Sequence, residues 1–263
     1  MGTSKSYDSP KWPGVNDSVG DAVSDGKPTA DGILTAVGAF AGAYKEFLNT
    51  GTTGRAGAVS GGHSGSGRTT GKRGGGGGAT ARTRAAGAGA RLGQFLSGVA
   101  SSGLAPTLES FGLSDLVGKP LQEVFDAIID RLCEDGGLLD DSALTEAMAR
   151  TLNELGEKAE TVEEFDKLLS ETPDDLEGYL QAFFANLLAA NFEQKEGGFV
   201  REKIPQDQCD RFFKESRELI RSLVSEELAK ERDLSSIDWA GAEAVSIADQ
   251  INQEVLNILI GDE

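Results

Sequence analysis

The chain of 263 residues contains one histidine and two cysteines, and this shortage limits the sites it can build. A single histidine excludes a multi-histidine metal site, and His63 lies in a Gly/Ser-rich tract, which argues against a His-based triad. Cys133 and Cys209 lie in separate amphipathic patterns without a CxxC spacing. We therefore expect two reduced, buried thiols rather than a disulfide or a reactive cysteine.

Long hydrophobic runs are also missing. The most apolar stretch, residues 180–190, is interrupted by Gln181 and Asn186 and is shorter than the ~20 residues of a membrane span. The first residues lack the apolar core of a signal peptide. The sequence therefore predicts a soluble, cytoplasmic protein with no membrane contact.

No segment alternates apolar and polar residues as a strand does, so the predicted fold is all-α, a bundle of about six to eight helices. Apolar residues recur at the helical period in several segments, and Gly136 and Gly137 are expected to end the helix that begins after Pro120. Thr161 with Glu164 predicts a capping box, and Thr172 followed by Pro173 predicts the start of the most apolar helix. The predicted segments are 31–49, from about 80, 121–132, 142–156, a short turn ending near 170, 172–192, 207–229 and 236–260.

Charge is distributed unevenly along the chain. Residues 47–108 carry 7 basic and no acidic side chains, whereas residues 109–263 carry 14 basic and 37 acidic ones. The acidic part would repel nucleic acid and anionic lipid, so any polyanion contact is confined to the basic block. Its candidate contact residues are Arg55, Arg68, Lys72, Arg73, Arg82, Arg84 and Arg91.

This basic block begins with a segment rich in glycine, which predicts a flexible linker over residues 50–79. The tract from Arg55 to Arg91 contains no aromatic side chain on which bases could stack, as single-strand binders typically use. Two interpretations stay open: a linker kept soluble by its charge, or a contact with nucleic acid or an acidic partner.

Tests for catalytic motifs give no candidate. The segment Ser66–Arg73 resembles a Walker A loop only in part, because serine replaces its first glycine and arginine its hydroxyl residue. Carboxylates occur as neighbours, such as Asp140 with Asp141 and Asp174 with Asp175, and adjacent helical residues do not face each other. The sequence therefore predicts a protein that is not an enzyme and holds no metal or cofactor.

The first residues are the most distinctive part of the sequence. A small second residue allows removal of Met1, which would leave Gly2 as a free α-amine at the start of a Pro/Gly/Ser-rich leader. The pattern also fits N-myristoylation, which is a permissive motif. We predict a non-helical leader over residues 1–30, an isolated amphipathic helix over 31–49, the linker over 50–79 and an acidic helical domain over 80–263.

The leader and several later motifs resemble the QatB family, the accessory proteins of the Qat anti-phage defence system. The matching segments are Met1-Gly2-Thr3-Ser4, Arg91-Leu92-Gly93-Gln94-Phe95-Leu96, Leu116-Val117-Gly118-Lys119-Pro120-Leu121, Ile128 to Cys133 and Gly137 to Asp141. This resemblance implies an operon with an ATPase, a QueC-like enzyme and a TatD-like nuclease as partners.

QueC-like chemistry activates a 7-deazaguanine carboxylate with ATP, so the resemblance implies that an amine could replace ammonia as acceptor. Our first hypothesis is that Gly2 accepts the 7-deazaguanine, with Thr3, Ser4, Trp12 and Pro13 in a leader that docks on the partner. A second hypothesis is a structural adaptor that assembles the ATPase and nuclease without modification. A third is an adaptor anchored to lipid through myristoylated Gly2, which the acidic domain would oppose.

Overall fold

Ten α-helices make up the part of the chain that the structure describes, and no strand occurs within it. The structure is a computed structural model that describes residues 12–24, 28–50, 77–133, 140–159, 161–172, 175–228, 232, 234 and 237–261. The helices are α1 (Trp12–Val23), α2 (Ala30–Thr50), α3 (Gly77–Ser102), α4 (Leu104–Ser110), α5 (Leu121–Cys133), α6 (Asp140–Gly156), α7 (Val162–Glu171), α8 (Leu176–Lys203), α9 (Gln206–Glu227) and α10 (Ala242–Ile260). The all-α prediction is confirmed, but the predicted number of six to eight helices is too low.

Helix α1 corrects the prediction that residues 1–30 are non-helical. Pro13 lies in its first turn, where the missing N–H has no intrahelical partner in any case. Val15, Val19 and Val23 recur at a spacing of four and are almost fully buried. Burial of this face therefore outweighs the low helix propensity of the surrounding glycines, serines and asparagine.

Helix α2 begins one residue before the predicted position and ends one residue after it. Its first turn is capped by Thr29, whose Oγ1 accepts a hydrogen bond from the Gly32 N–H (3.1 Å). Phe40 and Leu48 on this helix are fully buried. It was predicted to be isolated, but it packs against α1, α3, α9 and α10 and belongs to the common core.

Helix α3 lies at the centre of the bundle and contacts α2, α4, α5, α7, α8 and α10, among others. Its sequence is rich in alanine and glycine, so its neighbours approach closely. A Cβ atom added at Gly93 would lie 2.3 Å from the Trp239 ring, and one at Gly89 would lie 2.6 Å from Phe184. The residues of α3 that were predicted to belong to the flexible linker, 77–79, are thus in the first turn of a central helix.

Helices α7 and α8 are joined differently from the prediction. Thr161 does cap α7, as predicted, by accepting a hydrogen bond from the Glu164 N–H (3.2 Å). Thr172 does not cap α8, because its hydroxyl donates to the carbonyl oxygen of Leu168 (2.7 Å) and closes the end of α7. The N-cap of α8 is Asp175, while Pro173 and Asp174 lie outside the described residues.

A single hydrophobic core includes residues from all ten helices. Phenylalanine pairs run through it, among them Phe40 with Phe192 (ring centroids 5.2 Å apart) and Phe125 with Phe165 (5.3 Å). Neither cysteine is in a disulfide. Cys209 is buried, as predicted, and burial raises the pKa of its thiol. Cys133 was predicted to be buried but is half-buried against the core.

Candidate functional site

The leader residues proposed as the modification site fall mostly before the first described helix. Gly2, Thr3 and Ser4 lie outside the described residues, and Trp12 and Pro13 form the first turn of α1. The next turns of α1 pack against α2 and α8, and Gly20 lies beside the Phe199 ring. The leader is therefore fixed to the helical body from Trp12 onward.

The basic residues proposed as a polyanion contact fall into two groups. Arg55, Arg68, Lys72 and Arg73 lie outside the described residues, as do His63 and the segment that partly resembles a Walker A loop. Arg82, Arg84 and Arg91 lie on α3 and are each partly buried. The structure thus describes only the end of the basic block that runs into the central helix.

Arg82 is engaged inside the bundle. Its Nε and Nη2 atoms donate to the two carboxylate oxygens of Asp249 on α10 (2.7 and 2.5 Å), and its Nη1 donates to Asn49 on α2 (2.7 Å). This bidentate bond raises the pKa of the Arg82 guanidinium. Arg82 therefore joins three helices, a role that the sequence could not indicate because Asp249 is 167 residues away.

A polar cleft opens between α6, α8 and α9, with a volume of about 260 Å³. Arg221 from α9 donates to Glu154 on α6 (2.6 Å), and the amide of Asn186 on α8 donates to the other oxygen of Glu154 (3.2 Å). At its lining, the Lys158 ammonium lies 5.5 Å from the centroid of the Tyr179 ring. These charged side chains contact one another across the cleft, so they join the three helices.

The same three helices are joined further along by a second ionic group. Glu193 on α8 accepts from Arg150 on α6 (3.2 Å) and from Arg217 on α9 (2.8 Å), and Arg150 also contacts Glu146. This group of ion pairs was not predicted from the sequence, although the spacing of four between Arg217 and Arg221 indicates that both side chains lie on one side of α9. We assign it a structural role.

Glu177 on α8 and Arg232, which lies between α9 and α10, form an ion pair. The Glu177 side chain is fully buried in the first turn of α8 and accepts two hydrogen bonds from Arg232, one from the backbone N–H (2.8 Å) and one from Nη1 (2.5 Å). Arg232 also contacts Glu254 on α10. The pair holds Arg232 on the bundle and satisfies a buried carboxylate.

Glu196 on α8 is the described carboxylate whose environment is least favourable to its charge. It is 2% exposed, and its Oε2 atom has no hydrogen-bond partner. Burial raises the pKa of the Glu196 carboxyl to about 7. The side chain is therefore partly protonated at neutral pH.

The described residues contain no group of three or more His, Cys, Asp or Glu side chains arranged to hold a metal ion. Among the described helices, none has a stretch of sufficient length and hydropathy to cross a bilayer. The structure does provide a helical body with one apolar core, joined by partly buried ion pairs, with the leader attached at α1.

Comparison with known proteins identifies the family. Neither the curated proteins nor the solved structures gave a match to this chain. The family model described as Qat anti-phage system associated protein QatB matches residues 74–259, which is more than half of the chain and covers α3 to α10. The leader, α1 and α2 precede the matched region. The chain therefore belongs to the QatB family, which is associated with the Qat anti-phage system.

Proposed function

We propose that this QatB-family chain is a non-enzymatic accessory component whose Gly2 α-amine accepts a 7-deazaguanine group from a QueC-like partner. In the proposed reaction, ATP converts the carboxylate of the base to an acyl-adenylate and releases pyrophosphate. The neutral amine of Gly2 then attacks the acyl carbon, AMP leaves, and the amine loses a proton. The product is an amide between the base and the chain.

The observation that carries this proposal is the attachment of the leader at α1. Val15 and Val19 are 1% and 0% exposed, so helix α1, within the leader, is packed firmly on α2 and α8. Ten residue steps separate Gly2 from Trp12, and at ~3.5 Å per residue they span at most about 35 Å. An enzyme that holds the helical body could therefore reach Gly2 in its active site at a high effective concentration.

The chemistry of the amine supports Gly2 over the lysines. An α-amine has a reference pKa of about 7.7–8.0, whereas a lysine amine titrates near 10.4, so Gly2 supplies far more neutral nucleophile at physiological pH. Glycine also has no side chain to hinder attack. Lys5 is the nearest competing amine in the leader.

The test is the mass of the N-terminal peptide after expression with and without the QueC-like partner. We expect an adduct on Gly2 only when that partner is present. A Gly2→Pro variant should lose the adduct and phage protection, whereas Lys5→Arg should keep both. Loss of the adduct in Lys5→Arg would move the acceptor to Lys5, and an unmodified Gly2 in every sample would contradict the proposal.

The adaptor interpretation is the second candidate, and the presence of exposed apolar residues on the helical body favours it. Leu34 and Ile260 are 42% and 36% exposed, and they lie in the same groove. In this case the chain would assemble the ATPase and the TatD-like nuclease in the cytoplasm without modification. Co-purification of these partners with the Gly2→Pro variant, together with full phage protection, would favour the adaptor.

A further inference from the structure

An apolar groove lies where α2, α9 and α10 meet, with a volume of about 750 Å³. We call it the α2/α9/α10 groove and define it by Leu34 and Gly38 of α2, Leu223 and Glu227 of α9, and Ile258 to Ile260 of α10. Helix α2 approaches α10 closely here, because a Cβ atom added at Gly38 would lie 3.0 Å from the Leu259 carbonyl oxygen. The floor of the groove is therefore formed by packed backbone as well as by side chains.

Exposed apolar side chains are concentrated in this groove. The described residues include four large hydrophobic side chains that are exposed, namely Leu34, Val117, Val245 and Ile260. Leu34 and Ile260 line the groove, whereas Val117 and Val245 do not. Two exposed apolar residues that share one concave surface are typical of a contact site, whereas isolated ones are ordinary.

The electrostatic field in the groove is negative. Helices α9 and α10 both end at it, at Glu227 and Ile260, and the last turn of a helix carries a partial negative charge and carbonyl groups without intrahelical partners. Neither helix has a basic residue in its last turn. Glu227 lines the groove, and the neighbouring Glu226, which accepts a hydrogen bond from the Ser222 hydroxyl (2.7 Å), adds a second carboxylate at the end of α9.

One basic side chain reaches the groove wall. The Lys45 ammonium donates to Asn257 Oδ1 (2.5 Å), and Asn257 lines the groove. The Lys45 ammonium is thus bonded to the side-chain amide of Asn257 and not to the terminal backbone carbonyl groups of α9 or α10. The carbonyl ends and the two glutamates thus keep a field that favours a cation.

We propose that the α2/α9/α10 groove binds a basic amphipathic helix of another protein. The apolar face of that helix would cover Leu34, Leu223 and Ile260, and its lysine or arginine side chains would reach Glu227 and the carbonyl ends of α9 and α10. Residues 51–76 of this chain are basic but contain only one large apolar side chain, Val59. This segment therefore lacks the apolar face that would cover the floor of the groove. The inference does not depend on modification of Gly2.

The first test uses two synthetic 14-residue peptides as probes, one of leucine and lysine in a helical pattern and one with glutamate in place of lysine. Fluorescence anisotropy measures their binding to the full chain. We expect saturable binding of the lysine peptide and none of the glutamate peptide. Equal binding of the two peptides would overturn the proposal.

The second test compares two double variants that leave the net charge unchanged. Leu34→Gln with Ile260→Gln should weaken binding of the lysine peptide about tenfold, because it removes apolar area from the groove. Val117→Gln with Val245→Gln is the matched control and should leave binding unchanged. Equal affinities of the two double variants would show general attraction to an acidic surface and would overturn the proposal, provided that both melt like the parent chain.

A charge test completes the experiment. Glu227→Gln should weaken binding of the lysine peptide a few-fold, because one attractive charge is lost. The affinity should also depend less on salt concentration. Glu109→Gln, on the exposed face of α4, changes the net charge equally and should have a smaller effect. An equal effect of the two substitutions would contradict a specific contribution of the α9 end.

Discussion

Three glycines on α3 lie in very different surroundings, although they are separated by only two to six residues. Gly87 has no atom within 4 Å of where its Cβ would be. Gly89 faces Phe184, and Gly93 faces the six-membered part of the Trp239 ring. Glycine therefore only lowers helix stability at position 87, whereas close packing requires it at positions 89 and 93.

Gly93→Ala should destabilise the protein by about 1–3 kcal/mol, because the added methyl group would overlap the Trp239 ring and force it to move. Urea denaturation measures the loss, and a shift of tryptophan emission reports the displaced ring. Gly87→Ala is the control and should stabilise the protein by up to about 1 kcal/mol through helix propensity. Similar stabilities for the two variants would contradict the packing described for α3.

Glu196 makes the stability depend on pH in an unusual direction. Its pKa is about 7 in the folded chain and 4.5 as a reference value, so the folded state binds more protons between these pH values. Stability therefore decreases as pH rises from 4.5 to 7 and stays reduced above pH 7. The opposite holds for a carboxylate whose pKa is lowered by an ion pair.

Glu196→Gln should remove this penalty. Above pH 7 the variant is expected to be more stable than the parent chain by about 3 kcal/mol, and the difference should vanish near pH 4.5. Denaturation curves at a series of pH values measure it. Glu202→Gln, an exposed change on the same helix, should show no such trend. A difference that does not change with pH would refute the raised pKa.

Helix α1 changes how the leader can be tested. Its buried residues Val15, Val19, Ala22 and Val23 cover parts of α2 and α8, so the leader and the body cannot be separated at residue 26. A truncation that begins near Gly26 would remove both the candidate acceptor and a packed helix. The described part of the chain begins with α1 at Trp12, so a truncation just before Trp12 keeps the whole of this helix.

A chain that starts at Trp12 after its initiator methionine should unfold at the same denaturant concentration as the full chain. For a chain that starts at Gly26, the free energy of unfolding should be about 5 kcal/mol lower, because three valines and an alanine are removed from the core. Circular dichroism during denaturation separates the two. Equal loss in both would mean that residues before Trp12 also contribute to stability.

The helices were predictable from sequence to different degrees, for identifiable reasons. Helices α5, α6 and α9 carry regular apolar stripes between clear breaks, and their predicted bounds lie within two residues of those observed; α10 ends where predicted but begins at Ala242 rather than at residue 236. Helix α1 was missed because it contains a proline, two glycines, a serine and an asparagine, which are poor helix formers, and because burial of its valines depends on tertiary packing. The start of α8 was predicted too early because the Thr172 hydroxyl serves the preceding helix instead.

The contacts that join the helices were not predictable from one sequence. Arg82 was assigned to a polyanion contact from the local charge, yet its partner Asp249 comes from α10. Gly2 became a candidate through resemblance to a family, and the α2/α9/α10 groove forms only because α2 packs against two helices that are distant from it in sequence. Local patterns locate elements, whereas charge pairs and concave surfaces arise only when elements meet.

The bundle should unfold as one unit, because a single apolar core includes residues of all ten helices. We expect one calorimetric transition with equal calorimetric and van't Hoff enthalpies. Tryptophan emission, from Trp12 and Trp239, should follow the same curve as far-ultraviolet circular dichroism. Two resolved transitions, or curves that do not coincide, would mean that the helices form separate cooperative units.

Helix α10 packs against α2, α3, α8 and α9, yet it is the last of these to leave the ribosome. During synthesis, the face of α2 that it covers stays open until about 190 further residues have been made, and the face of α3 until about 140 have been made. The nascent chain therefore exposes apolar surface for seconds, which is long enough for chaperones to bind it. Premature termination before residue 242 would leave those faces uncovered permanently, so shortened chains should be cleared by proteolysis rather than accumulate.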